Sequence, residues 1–235
     1  MAGSTATKSA TQVDPGAAIV VRTDGSDPGY ASRGGHKLAG ALDVFVPRGL
    51  VVTGQDCLDA GASTGGFTDV LLRRGAARVT AVDVGYGQLV WALQQDPRVT
   101  VLDRTNVREL TATHLDYRPG LVVGDLSFIS LKLVLPALVG VAEPAADLVL
   151  MVKPQFEVGR DRLGSGGVVR EPELRAVAVR EVAEAAAGLG LGVAGITASP
   201  LPGPSGNVEY FLWLKAGARP VDVDEIDAAI AAGPQ

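Results

Sequence analysis

The feature that most constrains the fold is a series of five short apolar runs, each of which ends in an ionisable residue. The runs end at Asp59, Asp83, Asp103, Asp125 and Lys153, at intervals of 24, 20, 22 and 28 residues. These intervals leave room for a helix after each strand, as parallel strand–helix units require. The runs are apolar on both faces, which is expected of strands that helices cover on both sides. The sequence therefore predicts a doubly wound α/β domain.

Patterns on either side of these runs complete the predicted domain. Ser32 is placed to cap a helix over about 33–45, and a longer helix is predicted over about 171–189. Two later runs, about 192–198 and 207–215, are joined by a turn too short to hold a helix, so they must be antiparallel. The prediction is a mostly parallel, seven-stranded sheet with an antiparallel edge hairpin, in which the second of these runs is an edge strand.

The first 30 residues differ in composition from the rest of the chain. They are rich in Ser, Thr, Ala, Gly and Asp, with one short strand candidate at 17–21 and a turn-rich linker at 24–29. We therefore predict an arm and linker over 1–30 and the α/β domain over 31–235.

Composition argues against several classes of protein. Cys57 is the only cysteine, which excludes an internal disulfide framework, and two histidines offer few ligands for zinc. No apolar run approaches the roughly 20 residues that cross a bilayer, and the first residues lack the apolar core of a signal peptide. A net charge of −5 argues against nonspecific coating of nucleic acid but allows a local basic groove. We expect a cytoplasmic protein without a metal or a membrane partner.

The charged residues at the strand ends predict a ligand site. In open α/β sheets the ligand crevice lies beyond the carboxyl ends of the strands. A single Asp there is readily explained as a turn former, but four Asp and one Lys in equivalent places are not. Lys153 stands out because a cation at the end of a buried strand needs an anionic partner. Glu209, the only charge in the apolar run 207–214, needs a cation in turn, either in a structural salt bridge or in a site.

The loop after the first run, residues 59–67, carries small residues that permit close approach of a ligand to the backbone. It lacks the second glycine of the dinucleotide fingerprint because Ser63 stands there. Residues 61–65 match a nucleophile elbow, but the only candidate base, His114, follows too soon in the predicted sheet for a hydrolase. Asp83 ends the next run, where a carboxylate can accept both ribose hydroxyls. An adenosine-type cofactor fits, and S-adenosylmethionine is favoured over NAD or ATP because a phosphate-binding glycine triplet and a Walker lysine are absent.

Seven ordered motifs between residues 32 and 214 closely resemble the TlyA family of FtsJ-like ribosomal RNA ribose methyltransferases, also filed as haemolysin A. The motifs are SRGGHKL (32–38), LDAGASTGGF (58–67), DVGYGQL (83–89), RTN (104–106), DLSFIS (125–130), VKPQFE (152–157) and GPSGNVEY (203–210). The resemblance implies a Rossmann-like class I methyltransferase fold that uses S-adenosylmethionine. It also implies 2′-O-methylation of cytidine in ribosomal RNA of the small subunit, and often of the large subunit, with ribosomal RNA or ribosomal subunits as the partner.

The resemblance further implies which residues do the chemistry. The family's catalytic Lys–Asp–Lys–Glu set falls on Lys37, Asp125, Lys153 and Glu209, of which Lys37 comes from the resemblance alone. The implied cofactor-binding residues are Asp59, Gly61, Ala62, Ser63, Thr64, Gly65, Gly66, Phe67, Asp83, Val84, Gly85, Asp103, Arg104, Asn106 and Asp125. Among them Asp83 is assigned to the ribose, and Asp103, Arg104 and Asn106 surround the adenine.

We hypothesise that Lys153 takes or shares the proton of the ribose 2′-hydroxyl, that Asp125 orients it, and that Lys37 with Glu209 positions the ribose. RNA contacts are expected at Arg33 and Lys37. Further contacts are expected at Arg160 and Arg162, in a glycine-rich loop over 155–169 that we predict to be mobile.

One departure from the family concerns the N-terminus. Family members usually begin with a basic S4 RNA-binding domain, whose two helices have no counterpart here, and residues 3–21 resemble its trailing β portion. Residues 1–30 are therefore interpreted as a remnant of that domain.

Two other functions are open. An RNA-binding module with a non-catalytic methyltransferase fold would need a damaged cofactor loop or catalytic set, and both are intact. A membrane-active haemolysin would need a long amphipathic or apolar segment, which the sequence does not show.

Overall fold

In a computed structural model, which describes residues 28–234, seven strands of these residues form one sheet in the order β3-β2-β1-β4-β5-β7-β6. The predicted strand at 17–21 and most of the linker lie outside the described residues. The strands are β1 (Asp56–Ala60), β2 (Arg78–Val82), β3 (Val99–Leu102), β4 (Leu121–Gly124), β5 (Asp147–Val152), β6 (Leu191–Ala198) and β7 (Tyr210–Ala216). The first five pair in parallel, and β7 is antiparallel to both β5 and β6. The predicted seven-stranded, mostly parallel sheet is confirmed.

The α-helices of the same residues lie in connections between strands, except that the first precedes β1 and the last follows β7. They are α1 (Arg33–Phe45), α2 (Gly66–Arg73), α3 (Trp91–Gln94), α4 (Leu131–Val141), α5 (Pro154–Glu157), α6 (Pro172–Ala187) and α7 (Val223–Ala231). The helix predicted over 33–45 is confirmed at both ends. The helix predicted over 171–189 is confirmed with its ends one and two residues further in.

Two local predictions are wrong. The run 207–215 is not an edge strand, because β7 lies between β5 and β6 and the edge is formed by β6. The apolar character of both faces of β7 has its reason here, since the strand is covered on both sides by core residues. Ser32 occupies the N-cap position of α1, but its side chain makes no capping hydrogen bond.

Apolar side chains fill both sides of the sheet. On one side Leu38, Leu42 and Phe45 of α1 join a cluster with Phe211 and Trp213 of β7, and the Phe45 and Trp213 rings are 5.6 Å apart. On the other side α4, α6 and α7 contribute an aliphatic cluster. Burial of a Leu or Phe side chain stabilises a fold by about 1.5–3 kcal/mol, so α1 is held firmly over β7.

The strand register brings three of the predicted catalytic residues to the end of the sheet at which the parallel strands finish. Asp125 and Lys153 directly follow the neighbouring parallel strands β4 and β5. Val152, the last residue of β5, pairs with Tyr210, the first residue of β7. Glu209, which precedes β7, therefore lies next to Lys153 beyond the same end of the sheet.

Candidate active site

The Lys153 side chain lies against two groups of the loop that follows β4. Its Nζ is 2.5 Å from Oδ1 of Asp125, in an ion pair that lacks the alignment of a hydrogen bond. The same Nζ donates a hydrogen bond to Oγ of Ser127 at 2.8 Å. Lys153 is 8% exposed, so its ammonium group faces the site with two fixed oxygen partners.

A second buried pair lies beside the first. Nζ of Lys37 donates to Oε2 of Glu209 at 2.5 Å, and the Glu209 residue is only 1% exposed. Gly203 lies against the other carboxylate oxygen, where a Cβ atom would stand 2.7 Å from Oε1. The pairing explains why a lone carboxylate is tolerated beside an apolar strand, and its cation comes from α1.

Both pairs border a single cavity of about 280 Å³. Its lining consists of the two pairs, the small-residue loop after β1 and the start of α1: Ser32, Arg33, Gly34, Lys37, Gly61, Ala62, Ser63, Thr64, Gly66, Phe67, Asp125, Ser127, Lys153, Pro202, Pro204 and Glu209. The predicted catalytic set is thus brought together by the fold. Buried ion pairs contribute little to stability, because desolvation offsets their attraction, so two such pairs around one cavity favour a chemical role.

A second cavity of about 490 Å³ adjoins the first and shares Gly61, Ser63, Asp125 and Ser127 with it. Its other lining residues are Asp83, Val84, Gln88, Thr105, Asn106, Val107, Leu126, Phe128, Ile129 and Val134. The mixture of carboxylate, amide and apolar groups suits a nucleoside with a polar sugar and an apolar base.

Backbone hydrogen bonds fix the carboxylate of Asp83 at the border of this second cavity. Oδ2 accepts from N–H of Ser63 at 2.8 Å, and Oδ1 accepts from N–H of Gly85 at 2.7 Å. Ser63 has a positive φ of 48°, a conformation that costs a non-glycine residue free energy. The loop after β1 is therefore held in a specific shape by Asp83, which directly follows β2.

Five of the implied cofactor residues line neither cavity: Asp59, Gly65, Gly85, Asp103 and Arg104. Asp59 is fully buried within β1, where it accepts a hydrogen bond from Oγ1 of Thr68 at 2.7 Å. Burial raises the pKa of Asp59 to about 7, although the Thr68 hydrogen bond opposes this. Asp59 therefore joins β1 to α2, and its assignment to the cofactor stays a prediction.

The predicted adenine-side residues separate into two groups. Asn106 lines the second cavity, whereas Oδ2 of Asp103 accepts from N–H of Gly87 at 2.8 Å. The Arg104 guanidinium lies over the Tyr86 ring, 4.2 Å from its centre. Asp103 and Arg104 thus shape the loop after β2 from outside the cavity.

The predicted RNA contacts lie at different distances from the site. Arg33 lines the first cavity and donates to the carbonyl of Pro202 at 3.0 Å. Arg162 is exposed and donates to the carbonyl of Val158 at 2.6 Å, while the side chain of Arg160 lies outside the described part of the structure. The segment 155–169 also contains helical turns, including the end of α5, and its mobility stays a prediction.

Sequence reasoning missed several residues that the fold places at the site. Ser127 contacts Lys153 and lines both cavities, and Phe128 borders the second cavity with 92% exposure and a φ of 64°. Both lie in the motif DLSFIS, so their position two and three residues after Asp125 was an available signal. Pro204 lies in the motif GPSGNVEY and had the same signal, whereas Pro202 lies outside the motifs and meets the site only through tertiary packing.

The hydrolase alternative does not fit the geometry. His114 lies in a short turn where its Nδ1 accepts from N–H of Thr111 at 3.0 Å, and it lines neither cavity around Ser63.

Within residues 28–234 no helix combines the length and apolarity that crossing a membrane requires. That part of the chain also contains no cluster of three or more His, Cys, Asp or Glu side chains placed to hold a metal ion.

Comparisons with known proteins match the region that carries both cavities. The FtsJ-like methyltransferase family matches residues 30–216. The chain is 56% identical to the 16S/23S rRNA (cytidine-2′-O)-methyltransferase TlyA of Mycobacterium tuberculosis, over 99% of this chain and 87% of that protein. It is 33% identical to the 23S rRNA (cytidine-2′-O)-methyltransferase TlyA of Campylobacter jejuni, over 78% of this chain and 70% of that protein.

A solved structure agrees with the sequence matches. A protein of Streptococcus thermophilus that is named as a hemolysin superposes with a TM-score of 0.83 at 41% identity, covering 88% of this chain and 75% of that chain. The family match spans the region from Lys37 to Glu209 and so includes both buried pairs. The chain therefore belongs to the FtsJ-like methyltransferase family, with TlyA proteins among its relatives.

Proposed function

We propose that this protein uses S-adenosylmethionine to methylate the 2′-hydroxyl of cytidine in ribosomal RNA. The observation that carries the proposal is the convergence of the Lys153–Asp125 and Lys37–Glu209 pairs on a cavity that adjoins a nucleoside-sized cavity. The names of the M. tuberculosis and C. jejuni relatives supply the nucleotide and the class of RNA.

The residues around the second cavity fit S-adenosylmethionine. Gly61 has a φ of 86°, and a Cβ atom there would stand 2.7 Å from the carbonyl oxygen of Asp125. Only a glycine therefore leaves the loop close enough to β4 to border both cavities. Asp83 would hold the ribose of S-adenosylmethionine, and Asn106 with Val84 would border its adenine. When bound, S-adenosylmethionine supplies an electrophilic methyl group on a sulfonium.

The protein's own contribution is to place the ribose hydroxyl and to manage one proton. A ribose hydroxyl is a poor acid at neutral pH, so methyl transfer to its oxygen needs a group that accepts the proton or stabilises the developing negative charge. Lys153 is placed for this task in the lining of the first cavity, and its position is restricted by Asp125 and Ser127, which line both cavities. The Lys37–Glu209 pair lines the same cavity and would hold the ribose of the substrate.

The RNA is proposed to approach across the start of α1. Arg33 lies at the entrance of the first cavity, where its guanidinium can contact a phosphate of the substrate strand. The net charge of −5 means that such contacts must be local. Affinity for the ribosome would then depend on a small number of phosphate contacts.

The test is transfer of labelled methyl groups from S-adenosylmethionine to purified small and large ribosomal subunits, with the modified nucleotide mapped by mass spectrometry. Wild-type protein should label a cytidine ribose in at least one subunit. Lys153→Met should lower the rate by at least about 100-fold, as loss of a proton-transfer group does, while calorimetry still detects cofactor binding. Near-normal transfer by Lys153→Met would refute the assigned role.

The two subunits are separate outcomes of this test. The M. tuberculosis relative is named for both 16S and 23S rRNA, and the C. jejuni relative for 23S rRNA alone. The greater identity to the former favours activity on both subunits. A wild-type protein that binds RNA but neither binds the cofactor nor transfers a methyl group would instead be an RNA-binding module.

A further inference from the structure

Glu157 is a buried acid that neither cavity uses. It is the last residue of α5, the short helix that begins directly after Lys153, and it is 6% exposed. Its Oε2 accepts a hydrogen bond from Oγ of Ser130 at 2.5 Å, and its Oε1 accepts one from N–H of Leu131 at 2.8 Å. Glu157 thereby fastens the segment that follows β5 to the first residue of α4.

The two segments that Glu157 joins both start at a catalytic residue. One runs from Asp125 to Ser130 and the other from Lys153 to Glu157, and both leave adjacent strands of the sheet. Their first ends are fixed by the pairing of β4 with β5, and their far ends are fixed by the Glu157 contacts. The Lys153–Asp125 ion pair is enclosed in this frame, so its 2.5 Å separation depends on both ends.

A purely structural account of Glu157 is less satisfactory. The N-terminus of α4 already has a cap, because Oγ of Ser130 accepts from N–H of Lys132 at 3.2 Å. Burial raises the pKa of the Glu157 carboxyl above its ordinary value, although the hydrogen bonds from Ser130 and Leu131 oppose this. An apolar side chain would fill the space without that desolvation, but it would give up the hydrogen bonds to Ser130 and to the N–H of Leu131. These bonds to the end of the Asp125 segment are therefore the distinctive feature.

We propose that Glu157 is a positioning residue that holds Lys153 and Asp125 at their working distance by bonding the two segments that carry them. This inference rests on the proposed function of the site. Glu157 lines neither cavity, so it acts only through these two residues. A displacement of about 1 Å at a reacting centre can reduce a rate by about 100-fold.

The test compares Glu157→Ala with Glu157→Gln in the full chain. Glu157→Ala removes both bonds and should lower kcat by about 10- to 100-fold, with KM for the cofactor and for the ribosomal subunit changed by less than about threefold, because neither binding surface is touched. Glu157→Gln can accept from Leu131 N–H through its carbonyl and donate to Ser130 through its amide. It should therefore restore kcat to within about threefold of the wild type.

Glu181→Ala is the matched control. Oε2 of Glu181 accepts from Nζ of Lys132 at 2.6 Å, which ties the same first turn of α4 to α6 but not to the Lys153 segment. This variant should leave kcat unchanged. Ser130→Ala removes one of the two bonds to Glu157 together with the cap on the N–H of Lys132. It should lower kcat by about 3- to 10-fold, which provides a second test if Glu157→Ala does not fold.

Three results would overturn the inference. The first is normal kcat in Glu157→Ala or, where that variant does not fold, in Ser130→Ala. The second is a kcat in Glu157→Gln as low as in Glu157→Ala, and the third is a loss of kcat in Glu181→Ala equal to that in Glu157→Ala. Absence of methyl transfer by the wild type would refute the proposed function instead. In that case crystal structures of the wild type and Glu157→Gln or Ser130→Ala decide the inference. The inference requires the Lys153–Asp125 contact to be retained in Glu157→Gln and to be longer in Ser130→Ala than in the wild type.

Discussion

Five buried or half-buried acids and bases lie within or beneath the first cavity, and they differ in how their charge is balanced. Two ion pairs balance four of these charges, Lys37 with Glu209 and Lys153 with Asp125. Asp59 instead has a hydroxyl partner and one oxygen without a hydrogen bond. Removal of water strengthens each attraction and also penalises each unpaired charge. The fold should therefore be destabilised when one member of a pair is removed, and the contribution of Asp59 to stability should depend on pH.

Asp59→Asn should flatten the pH dependence of stability. An acid whose pKa is raised on folding binds more protons in the folded state, so its contribution to stability is full below the ordinary value of 3.8. That contribution is lost as pH rises through about 7. The wild type should lose at most about 4 kcal/mol from this group over that range, and the variant should not. Urea unfolding between pH 4 and 8 measures the difference, with exposed Asp116→Asn as the control. Parallel curves would contradict the prediction.

Removal of Lys37 alone should destabilise the fold more than removal of the whole pair. Lys37→Met leaves the Glu209 carboxylate, which is 1% exposed, without a cation. Such an unpaired buried charge costs about 3–5 kcal/mol, whereas Lys37→Met combined with Glu209→Leu replaces both charges by apolar groups. A double-mutant cycle in urea measures the coupling, and simple additivity of the two single changes would refute it. All three variants should be inactive in methyl transfer.

At the scale of elements, the sequence could predict what is local and could not predict what depends on strand order. The strand ends at Asp125 and Lys153 were predictable because an apolar run that stops at a charge is a local pattern. Glu209 could be recognised as a paired charge, but its strand was misplaced at the edge because pairing between β5 and β7 is a long-range choice. Lys37 could not be found from periodicity, since a lysine on a helix is usually solvated. Only the packing of α1 over β7 buries it.

The loop between β1 and α2 should tolerate no side chain at Gly61. Gly61→Ala would place a Cβ atom 2.7 Å from the Asp125 carbonyl at a φ of 86°, so both the strain and the clash must be relieved by movement of the loop. We expect a loss of about 2 kcal/mol or more in stability and at least about tenfold weaker cofactor binding.

Gly140→Ala in α4 is the matched control for this loop. A Cβ atom at Gly140 meets nothing within 4 Å, so the change should stabilise the protein by about 0.5–1 kcal/mol through helix propensity. Thermal unfolding and calorimetric titration with S-adenosylmethionine measure both effects. Wild-type cofactor affinity in Gly61→Ala would show that the loop does not approach the ligand closely.

At the scale of the whole molecule, the segment just before α1 belongs to the folded body. Arg73 of α2 donates to the carbonyls of Pro28 and Gly29 at 2.6 and 3.1 Å, and Asp69 accepts from N–H of Ala31 at 2.9 Å. Pro28 and Gly29 were assigned to a linker because their composition is that of a turn. The sequence could not reveal their attachment, since it depends on α2, some forty residues later in the chain. The wider division at residues 30 and 31 stays a prediction.

Attachment of this segment should contribute to stability and to activity, and Arg73→Ala tests both. The Arg73 guanidinium also pairs with Asp69 at 2.7 Å and lies 5.0 Å from the centre of the Tyr30 ring, which packs against Gly35 only two residues before Lys37. Losing these contacts should lower the free energy of unfolding by about 1–2 kcal/mol and the rate of methyl transfer by several-fold, because the start of α1 loosens.

Arg98→Ala separates this attachment from the general effect of removing a surface arginine. Arg98 has the same side-chain exposure as Arg73, 45%, and pairs with Asp96 at 2.7 Å. Among the described residues, its side chain bonds to α2 only through a long hydrogen bond of 3.5 Å to the carbonyl of Leu72, and it donates none to the segment before α1. An exposed pair of this kind is worth about 0–1 kcal/mol, so Arg98→Ala should change stability little and leave methyl transfer intact. Urea unfolding and hydrogen exchange at the Ala31 amide measure the comparison. If the two variants behave alike, the contacts of Arg73 do not hold the segment before α1 against α2.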